Sequence, residues 1–253
     1  MMNKEVGQTR INNFGSTMMV VGYRKYKDID VYFSEYDWTA EGVSYGAFKK
    51  GEIKCVYEPR VYGVGYTGEG DYEISENGTH TKVYSVWKDM LRRCYNPKLQ
   101  EKYPTYKGCS VVKEWHNFQN FAKWYEENYY EVEGQTMCLD KDIIVKGNKV
   151  YSPSTCVFVP QDINKLFTKR DRTRGDLPIG VVYHKQANKY LARCKNGTGT
   201  RRHLGLYKTP EEAYQVYKVA KEKHIKEVAE EYKDKIPSVL YDAMMNYEVE
   251  ITD

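Results

Sequence analysis

The stretch Met137–Asn164, MCLDKDIIVKGNKVYSPSTCVFVPQDIN, decides how the rest of the chain is read. It opens on an apolar run, Met137-Cys138-Leu139, that ends in two acids, Asp140 and Asp142. Gly147-Asn148 supplies a turn, a second apolar run spans Cys156 to Val159, and Pro160 suits a helix start. Asn164 then falls one turn into that helix. Strand, loop, strand, helix, with a carboxylate on the first strand and an amide on the helix, is enough to hold one hard divalent cation, Mg²⁺ or Mn²⁺. Such ions take oxygen ligands and complete their shell with water and substrate phosphate.

These residues resemble the ββα-metal core of HNH endonucleases, in particular the phage homing type. Leu139-Asp140 and Phe158-Val159-Pro160-Gln161-Asp162-Ile163-Asn164 match its two ends. The resemblance implies Asp140 and Asn164 as metal ligands, with Asp142 assisting. It breaks at the general base, where the family's histidine is replaced by Lys141. A neutral imidazole accepts a proton from water near pH 7, whereas an ordinary lysine is already protonated. Lys141 is therefore expected to contact phosphate, and the base is left to another group or to a metal-bound water. The spacings Trp87-x-x-Met90-x-x-Arg93-Cys94 and Trp115-x-x-Phe118-x-x-Phe121-x-x-Trp124 resemble the leader of the same family, which extends the likeness over residues 84–167. His116 is expected on the surface of the second leader helix rather than as a displaced base.

At 253 residues the chain is long enough for two or three small domains, and 41% hydrophobic content can fill their cores. Its aromatics are mostly tyrosine, 25 against 7 Phe, a ring that also serves thin cores and wet surfaces. The net charge of +4 is uninformative as a whole but unevenly spread. Residues 165–208 hold 12 Lys/Arg against 2 Asp, and residues 209–253 hold 6 Lys against 11 acids. The basic band is the candidate nucleic-acid surface. The six cysteines show no C-x-x-C pair, so zinc spacing is absent. Neither a signal peptide nor a long apolar run occurs, which predicts a cytoplasmic protein without membrane partners, and the resemblance places it in a phage-infected bacterial host.

Residues 1–60 read as a small β-rich module. Strands are expected at Thr17–Val21, Ile29–Phe33 and Ile53–Val56, and Val43–Phe48 reads as a strand or a short helix. Residues 61–82 are a Gly-rich connector; Gly63-x-Gly65 lacks the strand-to-helix context of a phosphate loop. Residues 83–168 form the ββα unit with its helical leader, in which Val83, Val86, Trp87, Met90, Leu91 and Cys94 line one helix face. Residues 169–176 are a basic linker whose Arg170, Arg172 and Arg174 suit phosphates.

Within residues 177–235, three antiparallel strands are expected at 179–184, 189–196 and 201–207. Thr209-Pro210-Glu211-Glu212 is then a capping box that opens one long helix. Gly180-Val181, Lys189-Tyr190, Ala192, Leu204-Gly205, Tyr207, Thr209, Glu212-Ala213 and Tyr217 resemble the APETALA-type (ethylene-response-factor) DNA-binding domain, whose sheet enters the major groove. That likeness maps the DNA-reading positions onto His184, Arg193, Lys195, Arg201 and His203. Strand periodicity independently sets Arg193 and Lys195 on the face opposite Tyr190, Ala192 and Cys194. Residues 236–253 are an acidic, amphipathic tail that docks on the body, on a second copy or on a protein partner.

The expectation is thus a multidomain α+β protein that binds double-stranded DNA and nicks or cleaves it by metal-assisted phosphodiester hydrolysis. The missing histidine favours the competing reading, an inactive, nuclease-derived regulator or repressor. An inhibitor of another nucleic-acid machine is the third.

Overall fold

The computed structural model describes residues 4–168, 176–195 and 201–251, with the side chain of Arg201 outside the description. The fold is α+β, built from several small sheets, with a three-stranded sheet and a long helix toward the C-terminus. The chain divides into two compact units, Met1–Glu127 with Lys149–Pro153, and Asn128–Asn148 with Ser154–Asp253. No helix among the described residues is long and apolar enough to cross a membrane.

The first unit begins with an antiparallel sheet in chain order: β1 (Thr9–Ile11), β2 (Thr17–Lys25), β3 (Asp28–Phe33) and β4 (Trp38–Val43). Strict period-two alternation in β3 buries Ile29, Val31 and Phe33 against Met18, Val20, Phe48 and Cys55. The ambiguous segment resolves at Ser44. Its hydroxyl accepts the Ala47 N–H at 3.0 Å and starts α1 (Tyr45–Lys50). One strand is unforeseen here and one expected strand is absent. Trp38–Val43 is a strand, although its Ala, Glu and Gly lack a strand composition. Ile53–Val56 is none: Ile53 and Cys55 are buried, but the Ile53 carbonyl is taken by the Asn12 amide at 3.2 Å rather than by a ladder.

The connector holds a small hairpin, β5 (Ser75–Glu76) and β6 (Thr79–His80), turned by Asn77-Gly78 with both residues at positive φ. Gly65 lies so close to the next helix that a Cβ would stand 2.4 Å from a Leu91 methyl, so here the glycine serves packing. That helix, α2 (Lys82–Tyr95), buries Tyr84, Trp87, Met90, Leu91 and Cys94; Tyr84 takes the place expected of Val83. Asn96 ends it and caps α3 (Pro97–Lys102). A 3₁₀ turn, Lys113–His116, precedes α4 (Phe118–Asn128). Trp87 donates its indole N–H to the Trp115 carbonyl at 2.7 Å, while Trp115 meets Phe121 edge-on. The aromatic residues of the leader are therefore core. β7 (Ser110–Val111) pairs in parallel with β9 (Val150–Tyr151), forty residues later.

The second unit contains β8 (Met137–Asp140) antiparallel to β10 (Val157–Pro160), then α5 (Gln161–Phe167), which lies against both strands. β11 (Val181–His184), β12 (Lys189–Lys195) and β13 (Arg201–Tyr207) form an antiparallel sheet in that order. The long helix α6 (Pro210–Tyr232) opens with the expected capping box: the Thr209 hydroxyl accepts the Glu212 N–H, and the Glu212 carboxylate accepts the Thr209 N–H. Its first half packs Ala213, Tyr214 and Tyr217 on the sheet. Its second half packs Ile225 and Ala229 on Val157, Val159 and Ile163 of the ββα stretch. The tail docks on the body: α7 (Ser238–Met245) buries Leu240 and Met244 in this second cluster, and Val249 enters the first.

Candidate functional site

In the ββα stretch, Leu139 points into the core and Asp140 closes the strand opposite Val157. The Asp140 carboxylate is used on one side only. Oδ1 accepts the backbone N–H of Asp142 and of Ile143, both at 2.8 Å, and so starts the loop as an Asx turn. Buried Ile143 anchors that loop, and the Asn148 amide closes its far end by donating to the Lys141 carbonyl at 2.7 Å. Oδ2 of Asp140 is left without a hydrogen-bond partner among the described residues. Burial pushes the Asp140 carboxyl up to about 6, helped by the charge of Asp142; the two N–H donors and Lys141 pull the other way.

Lys141 is 7% exposed, and its ammonium stands 3.2 Å from Asp142 Oδ2. It is thus turned toward Asp142, which in turn is occupied by an internal ion pair. Asn164 sits on α5 next to fully buried Ile163, on the helix that lies against β8. Its backbone carbonyl accepts the Thr168 hydroxyl, while its amide has no hydrogen-bond partner among the described residues. No cluster of three or more His, Cys, Asp or Glu suited to a metal occurs among the described residues. A carboxylate oxygen and an amide oxygen are donor types that suit a hard, water-rich cation better than zinc. His116, expected on a helix surface, lies half-buried in the 3₁₀ turn of the first unit. Its Nε2 is 3.4 Å from the Tyr95 hydroxyl, and burial lowers its pKa.

On the second candidate surface the register does most of the work. Arg193 stands directly opposite His203, Lys195 opposite Arg201, and His184 opposite Lys189. Tyr190, Ala192 and Cys194 belong to the core under α6, which leaves Lys189, Leu191, Arg193 and Lys195 on the other face of β12. The pairing slips between Ala192 and Arg193, so that Leu204 and Gly205 share the inner side of β13 and Leu206 returns to the outer face, 43% exposed. Leu206, opposite Leu191, was missed because counting by two from His203 runs through that bulge. Lys189 could have been found, since it keeps period two with Arg193. His184 also serves the fold, because its Nδ1 accepts the Ala187 N–H at 3.2 Å and caps the 3₁₀ turn, leaving Nε2 for a ligand. Arg170, Arg172 and Arg174 lie outside the described residues.

No protein-family model matches the chain, and no curated protein or solved structure is detectably similar to it.

Proposed function

We propose that the protein binds double-stranded DNA through the outer face of β11–β13 and hydrolyses a phosphodiester with a divalent cation, Mg²⁺ or Mn²⁺, held by Asp140 and Asn164. The observation that carries the reading is that Arg193 and Lys195 share the face of β12 away from α6, with His203 opposite Arg193. Cations gathered on one sheet face repel each other at rest. A polyanion lying on that face relieves the repulsion, and Arg193 has the fork to read guanine in the major groove.

The reading of the ββα stretch is supported by the open Oδ2 of Asp140 and the open amide of Asn164. When bound, the cation polarises the phosphate and makes water more acidic. Asp140 Oδ1 holds the loop in shape, and Lys141 neutralises Asp142 beside it.

One observation favours the second reading, a DNA-binding regulator without nuclease activity. The residue in the position of the base is a buried lysine committed to Asp142. A plasmid-nicking assay with and without Mn²⁺, run beside a gel shift, separates the two. Mn²⁺-dependent nicks support the nuclease, a shift without nicks supports the regulator, and neither result overturns both.

A further inference from the structure

The first unit carries a basic rim outside the sheet β11–β13. β2 ends on Lys25, the turn to β3 is Tyr26-Lys27, and α1 ends in Lys49-Lys50. The Tyr26 carbonyl accepts the Tyr45 N–H at 2.8 Å, which ties the hairpin tip to the start of the helix. Tyr26 is 52% exposed, and its ring meets Tyr45 edge-on at 5.9 Å. The Lys49 ammonium stands 5.6 Å and 5.3 Å from the centroids of those two rings. Among the described residues no carboxylate lies within 4.0 Å of Lys25, Lys27 or Lys49. The acids of the same hairpin, Asp28 and Asp30, are both taken by Arg24 at 2.7 and 2.6 Å. Only Lys50 has an acid at its limit, Glu52 at 4.0 Å.

Exposed lysines gathered round a solvent-facing tyrosine repel one another at rest, and a row of phosphates relieves that repulsion. Lysine is a point charge on a flexible stem without the fork that reads a base edge, so such a rim suits a backbone. We propose that Lys25, Tyr26, Lys27 and Lys49 form a second, sequence-independent contact for the backbone of double-stranded DNA. The inference rests on the DNA-binding reading given above and adds a surface in the other unit.

The test measures duplex affinity of the full chain by fluorescence anisotropy across about 50–200 mM salt, for wild type and for Lys25→Ser/Lys27→Ser/Lys49→Ser. The three side chains are exposed, so thermal unfolding should be unchanged in the variant. The slope of log affinity on log salt should fall by about 2–3, and affinity at low salt by about tenfold or more. Preference between duplex sequences should stay as it was. Arginine at the same three positions should restore the slope. A variant whose slope and affinity equal those of a DNA-binding wild type makes the rim a solvated face and overturns this inference alone. A wild type without affinity for DNA overturns it together with the DNA-binding reading.

Discussion

Gly180 lies flat against the ring of Tyr217: a Cβ added to it would stand 2.1 Å from the Tyr217 Cδ2. Its φ of +78° is also one that a side chain resists. Gly180→Ala should therefore destabilise the sheet–helix contact by about 1–3 kcal/mol or more, measured by denaturant unfolding. A variant as stable as wild type would show that β11 does not lie on α6 as described.

The outer face of the same sheet makes the opposite prediction for stability. Replacing Arg193, Lys195 and Arg201 with alanine leaves the cluster packed under α6 untouched, so the cooperative unfolding transition should be kept. DNA affinity should fall steeply, with the salt slope reduced by about 2–3. Undiminished binding by this triple variant removes the sheet as the DNA surface.

Asp140 has two jobs, and the substitution must separate them. Asp140→Ala also removes the acceptor of two backbone N–H groups, at a cost of about 1–3 kcal/mol to the loop. Asp140→Asn keeps an acceptor at Oδ1 and lowers the charge offered to a cation. Mn²⁺-dependent nicking should be lost in Asp140→Asn while thermal stability and duplex binding are kept. Nicking at the wild-type rate would move the active site elsewhere.

Lys141→His restores the residue type that the HNH resemblance expects beside Asp140. General-base assistance is worth about 10²–10⁴-fold, so nicking should rise by at least about tenfold if the cation site is competent. If neither form nicks DNA and neither binds Mn²⁺ by calorimetry, the stretch is structural and the protein acts by binding.

His224 on α6 predicts an acid sensitivity. Its Nε2 is buried without a hydrogen-bond partner among the described residues, while Nδ1 stands 3.8 Å from Glu227. Burial, reinforced by Lys221, lowers its pKa below the ordinary 6.5. The folded state thus holds the neutral ring, and its advantage is present above the unfolded pKa and lost as pH falls below about 6.5. The fall in stability between about pH 7.5 and 5.5 should shrink in His224→Leu. An identical pH dependence in the variant would place the acid sensitivity in other groups.

What could be read in advance was local. Periodicity placed β8, β10 and the three strands β11–β13, and Thr209 and Glu212 announced the helix start through hydrogen bonds three residues apart. What escaped depended on distant partners. Trp38–Val43 becomes a strand because β3 pairs with it and Asp30 accepts the Gly42 N–H at 3.2 Å. Lys141 faces Asp142 because its loop is pinned by Ile143 and Asn148. Val249 is held by Tyr214, Lys218 and Glu222, thirty residues away on α6. A charged letter in a sequence does not say whether its partner is solvent, DNA or its neighbour.

The parallel pairing of β7 with β9 sets an order of assembly. The N-terminal unit takes in Lys149–Pro153, so on the ribosome it cannot finish folding until the chain has emerged past Pro153. By then β8, which belongs to the other unit, has already been made. Neither unit can be lifted out with a single cut. A fragment ending at Glu127 would leave β7 with an unpaired edge, which is an invitation to pair with another chain.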